Sequence, residues 1–190
     1  MEALLVSTPP EWAPFALTNF DSFLSDHASC ERKASAVGMS FVVRYPDRPE
    51  LIEPMIQFAR EELEHFHQVY RLMKARGLAL LPDEEDPYVN LLMKEVRFGR
   101  DERFLDRLLV SSLIESRGAE RLGLVAEQLT DEKLKHFYSR LARAEAHHHD
   151  LFWEMARKFF PQNVVDERWK TLQEAEARAI LGVPWRNALH

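Results

Sequence analysis

Apolar residues recur along this chain at steps of three and four, and the alternating runs that mark half-buried strands are nearly absent. That period predicts an all-α protein. A first helix is expected over about Asn19–Arg44, with Phe20, Phe23, His27, Glu31, Ala34, Gly38 and Phe41 on one stripe, before Tyr45-Pro46-Asp47 breaks it. A second begins near Pro49, a residue suited to a first turn, and ends at Gly77, which can adopt a left-handed cap. Pro54 should make its opening turns irregular. The loop LLPDEEDP leads into a short helix near Tyr88–Arg97, and Gly99 separates this from a third long helix of about Asp101–Leu129. The fourth is expected to take Thr130 as its N-cap, carry Asp131 and Glu132 in its first turn, and stop at Pro161. A last helix, about Val164–Leu181, presents Trp169, Leu172 and Ile180 for packing on the outside.

The expected architecture is a four-helix bundle with a crossover segment between two antiparallel pairs and an additional C-terminal helix. One domain would span 1–190, with residues 1–18 as an N-terminal arm and 162–190 as a helix and tail packed on the bundle.

Certain positions on the apolar stripes are not apolar. Two Glu-x-x-His units occur, Glu62 with His65 and Glu145 with His148, and residues three apart on a helix share a face. Each has a glutamate upstream: Glu31 lies 31 residues before Glu62, and Glu115 lies 30 before Glu145. Two helices giving one Glu each and two giving a Glu-x-x-His pair form the ligand set of a dinuclear carboxylate site.

Helical phase decides between neighbouring candidates. In register with Glu62 and His65 the second helix reads Leu51, Met55, Phe58, Val69 and Leu72, whereas in register with Glu64 and His67 it reads Glu53, Gln57, Arg60, Arg71 and Lys74, a solvated face. The fourth helix aligns Leu134, Tyr138, Leu141, Phe152, Met155 and Phe159 with Glu145 and His148, which leaves His147 and His149 as accessory or surface groups. The third aligns Phe104, Leu108, Ser111, Ala119 and Leu122 with Glu115, and the small Ser111, Ser112, Gly118 and Ala119 leave room beside it. Four carboxylates on apolar seams would cost many kcal/mol without a cation, and few arginines lie in phase. Two iron ions held by Glu31, Glu62, His65, Glu115, Glu145 and His148 are therefore expected. His27 reads as a hydrogen-bonded histidine and Cys30 as a small buried thiol.

Composition narrows the setting. The chain is 46% hydrophobic and 29% charged over 190 residues, no apolar run approaches bilayer length, and no secretory leader is evident, so a cytoplasmic protein without a membrane partner is expected. One cysteine excludes a self-supplied iron–sulfur cluster or a four-cysteine zinc site. A net charge of -6 leaves nucleic-acid contact to local basic runs: Arg71-Lys74-Arg76, Lys94-Arg97-Arg100-Arg103-Arg107 and Arg157-Lys158 could meet phosphates, or could be ordinary solvated faces.

The ligand set alone leaves storage, peroxide reduction and oxygen activation open. The segments REELEHFHQVYRLMKARG, SSLIESRGAERL and RLARAEAHHHDLFWEMARKFF resemble those of the tRNA hydroxylases of MiaE type, ferritin-like di-iron monooxygenases, from the first helix to the end of the fourth. The resemblance places the family's iron ligands on the same six residues. It implies hydroxylation of a terminal allylic methyl carbon of 2-methylthio-N6-isopentenyladenosine beside the anticodon of tRNA, with dioxygen as co-substrate. The adenosine would be extruded to reach the irons. Phe23, Phe104, Leu108 and Phe152 would line an apolar pocket for the prenyl tail. Electrons would come from a reductase or ferredoxin, since no dinucleotide fingerprint is present, and the protein would be a monomer or small oligomer. The alternatives are a ferritin-like storage or peroxidase protein and a di-iron oxygenase of a small apolar substrate such as a fatty aldehyde.

Overall fold

A computed structural model describes residues 4–190, and among them it contains helices and no strands. Backbone contacts divide the chain into two compact units, one of Ala16–Glu84 with Asn187–Leu189, the other of the residues up to Phe15, Glu85–Arg186 and His190. Residues 1–3 of the expected arm lie outside the described residues. The rest of the arm carries a short helix that the sequence reading did not include, α1 (Trp12–Ala16), in which Trp12, Ala13 and Ala16 are buried, followed by a 3-10 turn at Leu17–Asn19.

The first unit is a hairpin of α2 (Phe20–Arg44) and α3 (Pro49–Ala75). Asn19 caps α2 by accepting from the Ser22 N–H, and Pro49 occupies the first turn of α3. The helix continues through Pro54, which lies in the second turn, so the expected irregularity does not break it. Gly77 takes φ 72° after the end of α3, the left-handed conformation that a residue without Cβ adopts at no steric cost. Phe23, Leu24, Phe41, Leu51, Met55, Phe58 and Val69 are buried along the seams that the period predicts. Each such side chain contributes roughly 1.5–3 kcal/mol.

The two helices approach closely at Gly38, where a Cβ would lie 2.8 Å from the Phe58 ring and 3.0 Å from the Met55 carbonyl oxygen. Nearby, the Ser35 hydroxyl donates to the Ala59 carbonyl at 2.8 Å. At the open end Arg76 Nε donates to Asp21 Oδ1 at 2.6 Å, joining the end of α3 to the start of α2. The tail residue Asn187 donates to the Ala16 carbonyl and to Thr18 Oγ1, and the Leu189 N–H donates to Asp26.

The second unit is built on a long antiparallel pair, α5 (Arg100–Gln128) and α6 (Glu132–Phe159), with α4 (Pro87–Lys94) and α7 (Gln162–Gly182) packed against α5. Asp131, not Thr130, caps α6: its carboxylate accepts from the Lys133 and Leu134 N–H groups at 2.9 and 3.0 Å, two donors that a helix start leaves open. α7 buries Val165, Trp169, Leu172, Ala175 and Ala179, as an outer helix should.

Sequence reasoning did not foresee a charged network beneath α7. Arg117 is fully buried and donates to Glu176 Oε1 at 2.7 and 3.0 Å, and the same oxygen accepts from the Tyr88 hydroxyl at 3.0 Å. Arg117 also donates to Thr8 Oγ1 and the Val6 carbonyl, which fixes the N-terminal segment on α5. Burial alone would lower the Arg117 pKa, but the charges of Glu176 and Glu120 outweigh that and raise it.

Candidate metal centre

Each unit gathers one carboxylate–histidine cluster. In the hairpin, Glu31 of α2 and Glu62 and His65 of α3 each offer a ligand atom within 4.8 Å of the others. Glu31 is 3% exposed and Glu62 1%, and His65 Nδ1 lies 3.5 Å from Glu31 Oε2 and 3.6 Å from Glu62 Oε1. In the second unit, Glu115 of α5 and Glu145 and His148 of α6 satisfy the same 4.8 Å criterion, all three buried, with His148 Nδ1 3.3 Å from Glu145 Oε2. Gly118, one turn after Glu115, faces Glu145, whose Cγ would lie 3.9 Å from a Cβ placed there.

The helical phase that selected these residues agrees with the burial. Glu64 and His67 form an exposed pair, 61% and 58% accessible, on the outer face of α3, and His147 is exposed on α6. His149 differs from a surface residue: its Nδ1 is 2.6 Å from Ser112 Oγ and 2.7 Å from Ser116 Oγ, so it ties α6 to α5 on either side of Glu115 in the chain. Its ring lies against Trp169 of α7, 6.1 Å between centroids. The hint in the sequence was two serines one turn apart opposite a histidine, a pattern too common to single out.

His27 is fully buried, and its Nε2 donates to Glu31 Oε1 at 2.6 Å, as expected of a hydrogen-bonded histidine. Cys30 is half-buried rather than buried, with Sγ 3.7 Å from Asp26 Oδ2. Phe23, Phe104, Leu108 and Phe152 are all buried, and Phe104 meets Phe159 and Phe160 at 5.3 and 5.8 Å between centroids. Two cations of the expected basic runs are committed internally, Arg76 to Asp21 and Arg97 to Asp106.

The donor set suits a metal. Burial alone would raise the Glu31 carboxyl, but hydrogen bonding and charge from His27 and His65 outweigh it and hold that group well below the usual carboxylate range. Burial would lower His65, yet Glu31 and Glu62 outweigh it and push the imidazole up to about 10. Carboxylates that draw a proton onto His65 also draw a divalent cation, which competes with that proton for the same ring. Glu31 Oε2 is buried with His65 Nδ1 no nearer than 3.5 Å, which leaves a lone pair for such a cation. Buried carboxylates and imidazoles are hard and borderline donors, the type taken by iron or manganese rather than by a soft-metal site.

No helix among the described residues is long and apolar enough to cross a membrane. Over its whole length the chain matches, at 38% identity and a TM-score of 0.94, a solved structure from Synechococcus, "Protein 43 with aldehyde deformylating oxygenase activity", covering 96% of that chain. An all-helical chain with carboxylate–histidine clusters and this structural relative falls in the ferritin-like class. Among curated proteins it is 37% identical over 152 residues to the tRNA 2-(methylsulfanyl)-N(6)-isopentenyladenosine(37) hydroxylase of Pseudomonas putida, matching 80% of this chain and 74% of that one. It is 33% identical over 132 residues to the protein of the same name from Salmonella typhimurium, matching 70% of this chain and 48% of that one. The family model described as tRNA-(MS[2]IO[6]A)-hydroxylase (MiaE) matches residues 1–190, and the chain belongs to that family.

Proposed function

We propose that this chain hydroxylates the isopentenyl group of 2-methylthio-N6-isopentenyladenosine in tRNA, using dioxygen and electrons from an external reductase or ferredoxin. The observation that carries the reading is the family match over residues 1–190 in a chain that has both carboxylate–histidine clusters. Glu31, Glu62, His65, Glu115, Glu145 and His148 would together hold two iron ions, within one ferritin-like domain. When bound, the irons supply reduction of dioxygen, so that one oxygen atom enters the C–H bond and the other leaves as water, with two electrons and two protons consumed.

The protein's own residues do the rest. The four carboxylates of Glu31, Glu62, Glu115 and Glu145 would offset the charge of two divalent irons, and His65 and His148 would supply nitrogen donors. His27 fixes the rotamer of Glu31 through its 2.6 Å hydrogen bond, and His149 sets α6 against α5 through Ser112 and Ser116. Phe23, Phe104, Leu108 and Phe152 would exclude water and receive the prenyl tail. None of the four adds a polar group that could divert the oxidant.

Nucleoside mass spectrometry of tRNA from a strain lacking the gene tests the reading, with accumulation of the unhydroxylated nucleoside expected; an unchanged nucleoside profile would sink it. A second reading, oxygen-dependent chemistry on an aldehyde, is favoured by the aldehyde deformylating oxygenase activity for which the Synechococcus relative is named. Iron-loaded protein given a reductant and either a long-chain aldehyde or the isopentenylated tRNA separates the two, and turnover of the RNA alone is expected.

A further inference from the structure

The most exposed large apolar side chain among the described residues is Phe98, 93% accessible, on the bend between α4 and α5. Its loop is held rigidly. Arg97 binds Asp106 through its backbone N–H at 2.9 Å and through its guanidinium at 2.8 and 2.9 Å. Arg168 of α7 closes on the same carboxylate at 2.7 and 2.9 Å and donates to the Glu95 carbonyl at 2.6 Å. Gly99 leaves the space that the Glu102 carboxylate occupies as it folds back over the start of α5. A ring presented to solvent on a corner fixed by so many bonds loses little entropy when something packs on it.

The surroundings are cationic. Lys94 ends α4, Arg100 and Arg103 lie in the first turns of α5, and the Phe104–Phe159 contact brings Arg157 and Lys158 of α6 to the same end of the unit. The acids there include Glu95, Asp101, Glu102 and Asp106; Asp101 and Glu102 serve the positive end of the α5 dipole, and Asp106 is neutralised by Arg97 and Arg168.

Resting on the tRNA reading above, we infer that this corner binds the substrate RNA, with Phe98 stacking on an unpaired base of the anticodon arm and the basic side chains of α4, α5 and α6 meeting the flanking phosphates. Aromatic rings flanked by cations are how proteins hold unpaired RNA bases, because every base offers a π-face and every nucleotide a phosphate. A protein electron donor fits less well: Glu115 lies 11 residues beyond Phe104, about 16 Å along the helix, and Phe98 lies farther still from the cluster. The same distance suits an RNA whose modified adenosine enters the site while neighbouring nucleotides remain outside.

Fluorescence anisotropy with a labelled anticodon stem-loop carrying the isopentenylated adenosine tests the inference on the iron-loaded full chain. Phe98→Ala should weaken binding about tenfold, Phe98→Leu should weaken it as much, and Phe98→Trp should restore it, since the effect depends on a π-face. The double variant Arg157→Gln/Lys158→Gln should make the log–log salt dependence shallower by about one to two. Iron content and thermal stability should not change in any of these. Equal RNA affinity in Phe98→Ala and wild type would overturn the inference while leaving the hydroxylase reading intact. Loss of binding to a reduced ferredoxin with RNA binding unchanged would also overturn it and give the corner to a protein partner. Failure of the wild-type protein to bind the RNA would remove both readings.

Discussion

The two carboxylate–histidine clusters each use two glutamates and a histidine at nearly the same spacing, yet their supports differ. Around Glu31, Glu62 and His65 the hairpin supplies the buried hydrogen bond from His27 and the close helix contact at Gly38. Around Glu115, Glu145 and His148 the second unit adds the His149 link to α5, the α7 layer and, two residues past Glu115, the buried Arg117–Glu176 pair. Equivalent carboxylate–histidine clusters are thus set in different surroundings, a two-helix hairpin in one unit and a polar frame under a third helix in the other.

Replacing a proposed ligand tests the feature they share and carries the largest effect. Glu115→Ala or His148→Ala should abolish hydroxylation and reduce the iron content below about two per chain while circular dichroism stays helical. Full activity in either variant would remove it from the ligand set.

The buried ion pair should distinguish the two units by stability. Arg117→Ala leaves Glu176 buried without its cation and should cost about 3–5 kcal/mol, whereas Arg117→Met with Glu176→Leu should recover most of it. Hydrogen exchange read helix by helix should show the loss in α4, α5 and α7, ahead of α2 and α3. Uniform loss would contradict that division.

Supporting histidines come next. His27→Ala and His149→Ala should each weaken iron binding 10–100-fold, measured by chelator competition. His149→Ala should also lower the melting temperature, because His149 joins α6 to α5.

Acid adds a milder contrast. Burial would raise the Asp106 carboxyl, but hydrogen bonds from Arg97 and Arg168 outweigh it and hold the pKa low. Its contribution is therefore present above the unfolded value of about 3.9 and is lost as pH falls through the lower folded value. Acid titration followed by hydrogen exchange should release the α4–α5 corner in that range, and Asp106→Asn should remove the transition. The smallest effect is expected on the outer face of α3, where Glu64→Ala and His67→Ala should change stability by no more than about 0.5 kcal/mol and leave iron content unchanged.

Much of this was legible in the chain because a helix converts spacing directly into direction. Glu62 and Glu64 differ by two positions and hence by roughly half a turn, which is the difference between 1% and exposed. Interactions between elements distant in sequence were not legible. Nothing around Arg117 announces that Glu176 and Tyr88 will meet it, since an arginine in a charged helix looks solvated until a later helix covers it. The cap at Asp131 shows a smaller gap: Thr130 and Asp131 are both good capping residues, and backbone geometry chose the carboxylate. Trp12 was obscured by the prolines around it, although a ring of that size gains enough on burial to order a short segment.

The contact at Gly38 has a consequence for anyone wishing to alter this protein. Glycine there sets the spacing between the two helices that carry Glu31, Glu62 and His65, two turns after Glu31 and against Phe58, itself one turn before Glu62. Even alanine at that position would have to push α2 and α3 apart, and so would alter the spacing of the proposed ligands without touching a donor atom. The position offers a mechanical dial on metal preference, located outside the chemistry it would tune.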